Sequence, residues 1–278
     1  MTNLQQRLLT AGVVIPVLLV LFYLGGLWFL GLAEFVILIG MLEFCRMVNA
    51  KGFPAHAILG TIAALCLGVA AYFARLDLIV MILTLAGLAI LAAQISSKDL
   101  KTAINSTSAT MMGVIYVGFF LCHIVLLRNW DGTKGKVDIG LFLIVLTIAI
   151  TFLNDAGAFF IGRKWGKHKM TPVISPKKSW EGVGGAIVFG IAGSALTKLV
   201  FDRWILTTNL AWVHCIILGA LLVCAAIVGD LVESLFKRDA GIKDSGTLLP
   251  GHGGAFDRID SLIWAGVLGF FWIRFLMV

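Results

Sequence analysis

Apolar residues run through this chain in windows of about 18 to 25 positions, interrupted by short polar stretches. At a rise of about 1.5 Å per residue, such a window lets a helix cross a hydrocarbon core of roughly 30 Å. Nine spans are predicted, at 8–24, 27–48, 56–73, 78–95, 107–127, 138–162, 181–201, 211–236 and 259–277. The alternating segments of a membrane barrel do not occur, and helices are the other structure that satisfies its own backbone in lipid. The pattern predicts an all-α polytopic membrane protein with about nine transmembrane helices. The first span, after Arg7, leads into "GGLWFLG" with no small-residue cleavage site, so it reads as a retained anchor.

Composition excludes a water-soluble alternative. The chain is 60% hydrophobic and 13% charged, with a mean hydropathy of +1.00. All five cysteines, Cys45, Cys66, Cys122, Cys215 and Cys224, fall within predicted spans and none forms a CxxC pair. They read as packing residues.

Charge sets the topology. With a cytoplasmic N-terminus, fifteen of the 22 basic residues lie on the cytoplasmic side, as the positive-inside tendency requires. The excess is concentrated in two loops, 163–180 and 237–258, and a nucleic-acid-binding surface would spread it more widely. The expected organisation is an N-terminal membrane region, 1–130, with about five spans, followed by a catalytic region, 131–278, that carries both loops.

The second loop is the core of a polar island. "KRDAGIKDSGTLLPGHGGAFDRID", residues 237–260, holds eight charged residues and five glycines between two hydrophobic stretches. Three acids also lie inside spans: Asp155 in "FLNDAGAFF", and Asp230 and Glu233 in "VGDLVES". Each costs about 2.5 to 3.5 kcal/mol at a helix centre, which makes a functional role the default. Asp155 precedes Arg163 by eight residues and Asp230 precedes Lys237 by seven, so both lie about 10 to 12 Å from the cytoplasmic ends of their helices. Equal depth predicts one shared site facing the cytoplasm. Glu34 and Glu43, nine apart and so on opposite faces of the second span, read as interhelical hydrogen-bonding groups.

Carboxylates without histidine or cysteine support suit a hard cation, and magnesium is the usual one beside phosphorylated substrates. The candidates are Asp230 and Asp257, with Asp155 and Asp260 as further members. Gly251, Gly253 and Gly254 allow a tight loop whose N–H groups face an anion, and neighbouring lysines and arginines would neutralise phosphate. The set points to phosphoryl or nucleotidyl transfer. No P-loop, kinase glycine loop or dinucleotide fingerprint specifies the reaction.

The run Ser234, Lys237, Arg238, Lys243, Asp244, Ser245, Gly246, Pro250, His252, Gly253, Gly254, Asp257, Arg258 and Asp260 resembles the signature of the phosphatidate cytidylyltransferase (CDP-diacylglycerol synthase) family. "NDAGAFFIGRKWGKHK" and "SPKKSWEG" resemble its other polar segments; Lys178 stands where many relatives have threonine. The resemblance implies that CTP and phosphatidate give CDP-diacylglycerol and pyrophosphate, with Mg2+ as cofactor and a second, monovalent cation such as K+ beside it. It implies Asp230, Asp257, Lys237 and Arg258 as catalytic groups. Asp230 and Asp257 would be metal ligands, with Asp155 at the second cation and Glu233 near the metal. Lys177, Lys178, Ser234, Arg238, Lys243, Asp244, His252, Gly253 and Gly254 would bind substrate.

Asp239, Asp244 and Asp260 remain open between metal or substrate contact and structural ion pairing. His252 is expected to donate to phosphate or brace its loop, and His168 to contact phosphate, while His56, His123 and His214 read as structural. Gly182, Ala186, Gly190 and Ser194 form a small-residue stripe for close packing, within a subunit or across a dimer. The resemblance implies a homodimer; the compact length without long soluble extensions points to a bacterial cytoplasmic membrane, and the concentrated charge to no nucleic-acid partner. A transporter is the rival from another class, and a CTP-dependent lipid-alcohol kinase the nearer one.

Overall fold

A computed structural model describes residues 3–96, 100–130, 138–208, 210–246 and 254–276, with the backbone alone for 3–11. The described residues form nine helical rods, one for each predicted span. They are α1 (Asn3–Leu24), α2 (Gly26–Ala50), α3 (Ala57–Tyr72), α4 (Leu76–Ile95), the rod α5–α6 (Ala103–Gly113 and Phe120–Arg128, joined by a π-helical segment, Val114–Phe119), α7 (Ile139–Trp165), α8 (Trp180–Val200, continued by a π-helical segment, Phe201–Ile205), α9 (Trp212–Asp239) and α10 (Phe256–Leu276). Seven are long and apolar enough to cross a membrane; α3 and the apolar stretch Gly12–Leu24 of α1 are shorter. The chain is an all-α polytopic membrane protein.

Two features depart from the predicted boundaries. The helices α9 and α10 extend into the polar island from both ends, so Lys237, Arg238, Asp257 and Arg258 sit on helical turns. The loop after α7 folds into an antiparallel hairpin, β1 (Lys169–Thr171) and β2 (Ser175–Ser179), which hydropathy does not register.

The chain divides into two compact units. One comprises residues 1–129 and 236–259, the other 130–235 and 260–278.

In the first unit, α3 packs against α2, α4 and the α5–α6 rod. A Cβ on Gly118 would lie 2.8 Å from the Ala64 backbone, so glycine permits the approach of α3 to the π-helical segment. Tyr116, in that segment, is buried with its ring centroid 5.4 Å from Phe236 and 5.7 Å from Phe256. Phe44 of α2 joins them at 6.0 Å from each. This aromatic cluster seats the end of α9 and the start of α10. At the end of α6, buried Arg128 donates to the carbonyls of Phe22, at 2.9 Å, and Tyr23, satisfying the open C-terminus of α1.

In the second unit, α7 and α8 pack along their lengths. All four residues of the small-residue stripe are buried. Gly190 faces Val223 and Ile150, and Ser194 donates to the Cys215 carbonyl of α9 at 2.7 Å. The stripe therefore serves packing within the subunit. Buried Lys198 pairs with Asp202, which also accepts from the Thr208 amide at 2.8 Å, anchoring the π-helical end of α8. The cysteines are free thiols; Cys45, Cys122 and Cys215 are buried in packing positions, while Cys66 and Cys224 are exposed.

Candidate active site

In the second unit α9 and α10 meet at Gly229, where a Cβ would lie 2.7 Å from the Trp264 ring. Ser261 donates to the Ala226 carbonyl at 3.2 Å and fixes the same crossing. The close approach brings Asp230 and Glu233 of α9 to Asp260 of α10, with ligand oxygens of all three within 4.8 Å of one another. Glu233 is buried and the two aspartates are half-buried. Ser234 donates to Asp230 Oδ1 at 3.3 Å. Three carboxylates that close together repel one another unless a cation is shared among them. The all-oxygen set fits magnesium better than a softer metal. It contains Asp230 and Glu233 from the sequence reading and Asp260, which that reading left open.

The hairpin supplies the opposite charge. Lys178 Nζ of β2 lies 2.8 Å from Asp230 Oδ2. At the end of β2, Ser179 accepts from the Gly182 amide at 3.2 Å and caps α8. Glu181 in the first turn of α8 accepts from the amides of Lys167 and His168, each at 3.2 Å, and pairs with the His168 ring at 2.6 Å. "SPKKSWEG" is thus strand, cap and brace in succession. His168 closes the base of the hairpin, where the sequence reading had it contact phosphate.

Beside this hairpin lies a cavity of about 580 Å³. Its lining includes four cationic residues, Arg163, Lys169, Lys177 and Lys178, and the apolar Phe159, Val183 and Ile227. Lys178 both lines this cavity and contacts the acidic trio through Asp230.

The first unit holds a second cluster. Lys237 Nζ donates to Asp257 Oδ1 at 2.7 Å, and both side chains are largely buried. Asp257 Oδ2 accepts from the Ser245 amide at 3.1 Å and the Gly254 amide at 2.9 Å, and lies 3.0 Å from the Ser245 hydroxyl, whose one proton it shares with Glu43. The Gly254 N–H thus meets the protein's own carboxylate. Glu43, from α2, is buried and accepts from the Ser245 hydroxyl at 3.1 Å, the Ala255 amide at 3.2 Å and the Phe256 amide at 2.9 Å. Its interhelical bonding was expected; its partners, two hundred positions away, were not. Glu34 instead packs against Gly68 of α3, and its Oε1 has no hydrogen-bond partner among the described residues.

The remaining candidates are distributed as follows. Asp155 is exposed on α7 and accepts from Asn154 at 2.9 Å; it lies outside the acidic trio. Arg238 is exposed and donates to the Ile242 carbonyl at 3.5 Å. Lys177, Lys243, Asp244 and Arg258 are exposed. Asp239 pairs with Lys51, a structural use. His252 and Gly253, with Gly251, lie outside the described residues.

Residues 5–276 match the sequence model of the Cytidylyltransferase family. The chain belongs to that family. It is 30% identical to a phosphatidate cytidylyltransferase of Synechocystis, over 98% of this chain and 97% of that one. It is 34% identical to a phosphatidate cytidylyltransferase of Pseudomonas aeruginosa over 93% of both chains. A relative in Arabidopsis thaliana, phosphatidate cytidylyltransferase 5, chloroplastic, is 30% identical over 90% of this chain and 67% of its own. Membership in the cytidylyltransferase family makes the chain a nucleotidyltransferase.

Proposed function

We propose that this cytidylyltransferase transfers the cytidylyl group of CTP to phosphatidate, forming CDP-diacylglycerol and releasing pyrophosphate. The observation that carries the reading is the Lys178–Asp230 contact, which joins an oxygen-only acidic trio to a cavity lined by both cationic and apolar side chains. A soluble nucleotide needs only the cations. A phospholipid needs both.

In this reading an oxygen of the phosphatidate phosphate attacks the α-phosphorus of CTP, and the bond from that phosphorus to the bridging oxygen of pyrophosphate breaks. The attacking oxygen is already anionic near neutral pH, so no strong general base is required. Arg163, Lys169, Lys177 and Lys178 hold the lipid phosphate, with the acyl chains toward Phe159, Val183 and Ile227. Lys237, with Arg238 and Arg258, offsets charge on the nucleotide phosphates. Asp257 orients Lys237 by accepting from it. Asp230, Glu233 and Asp260 would hold magnesium, which when bound would supply positive charge to offset that of the phosphates. The loops face the cytoplasm, where CTP is found, in a bacterial inner membrane. The working form is a homodimer whose contacts leave the buried stripe of α8 undisturbed.

The direct test is incubation of the purified protein in detergent with labelled CTP, phosphatidate and magnesium. A lipid-soluble cytidine product and pyrophosphate in equal amounts support the reading. Absence of that product across varied divalent and monovalent cations overturns it, and CDP with a phosphorylated alcohol would indicate a lipid kinase instead.

A further inference from the structure

We infer that Glu43 of α2 is a positioning residue for the Lys237–Asp257 pair, an inference that rests on the proposed cytidylyl transfer. Glu43 lies far in sequence from every segment that carries charge or glycine signatures. Yet its two carboxylate oxygens take three donors, the amides of Ala255 and Phe256 and the hydroxyl of Ser245. The two amides begin α10, where N–H groups have no partner within the helix and an anion is favoured. Ser245 lies earlier in the polar island. One carboxylate therefore holds Ser245 and the start of α10 together, and the hydroxyl it holds also faces Asp257 Oδ2. Asp257 in turn fixes Lys237.

The fit is tight. A Cβ on Gly254 would approach the Gly246 amide to 2.7 Å, and a Cβ on Gly246 would run into Glu43 itself. Below the carboxylate, the Phe256 ring is buried against Phe44 and Tyr116. A glutamine cannot replace Glu43. Each oxygen accepts a backbone N–H, so either amide orientation sets an NH2 donor against another donor.

The test is a double-mutant cycle of Glu43→Gln with Lys237→Ala, read as kcat/KM for CTP in purified protein. Glu43→Gln in the wild-type background should lower kcat/KM by about tenfold or more, and in the Lys237→Ala background by no more than about twofold. An equal loss in both backgrounds overturns the inference, because Glu43 would then act independently of Lys237. Ser245→Ala supplies the same comparison should Glu43→Gln fail to fold. Hydrogen exchange at residues 254–256 should quicken in Glu43→Gln, with α7 and α8 unchanged, and unaltered exchange there also overturns it. Glu34→Gln, on the opposite face of α2, should keep kcat/KM within about twofold. Wild-type turnover separately reads the proposed reaction, so its failure and that of the positioning role are distinct outcomes.

Discussion

Lys178 Nζ and Asp230 Oδ2 are 2.8 Å apart, which sets a tethered ammonium against a carboxylate of the acidic trio. A cation held there competes with a divalent ion for the same oxygen. Lys178→Thr should therefore tighten Mn2+ binding several-fold, as followed by electron paramagnetic resonance. It should also raise the KM for phosphatidate by about tenfold, since the cavity lining loses a positive charge. Unchanged Mn2+ affinity would show that the lysine does not screen Asp230.

Asp230→Asn, Glu233→Gln and Asp260→Asn should each lower kcat by at least about a hundredfold and weaken Mn2+ binding, with the protein still inserted in the membrane. Asp155→Asn, outside the trio, should lose less than about tenfold. Asp257→Asn should also abolish turnover, because it removes the charge that orients Lys237 and gathers Ser245 and Gly254. Steady-state kinetics and metal titration on the same preparations check all five.

Of the acids, sequence made Asp230 and Glu233 legible because charge within an apolar span is costly and conspicuous. Asp260 was harder to judge. It sits three residues beyond Asp257 on α10, and only the crossing at Gly229 shows which of the two meets Asp230 and Glu233. Glu43 was readable as an interhelical group from its place in a span, but its partners depend on long-range packing that periodicity does not encode. The nine rods were visible because each contains a long apolar window, though only seven reach membrane-crossing length. The hairpin was not, being two short strands with no alternation of apolar residues.

Ser179→Ala should destabilise the protein by about 1 kcal/mol, the usual cost of losing a helix N-cap, and lower the thermal midpoint in detergent. Glu181→Gln weakens the brace of the same hairpin, and should raise the KM for phosphatidate more than it changes kcat. A nucleotide KM that moved instead would reassign the cations of the cavity to CTP.

Gly190→Val tests the small-residue stripe. A side chain there meets Val223 of the same subunit, so the variant should lose thermal stability or fail to fold. A stable, folded monomer from a wild-type dimer, seen by light scattering in detergent, would instead place the stripe between subunits.

That Phe159, Val183 and Ile227 line the same cavity as four cations has a kinetic consequence. In the proposed reaction, a lipid that keeps its chains against those apolar side chains never has to leave the bilayer, either as substrate or as product. Its effective concentration is then a mole fraction in the membrane plane, so diluting vesicles at constant lipid composition leaves the rate per enzyme unchanged. Adding inert phospholipid to the same bilayer lowers it.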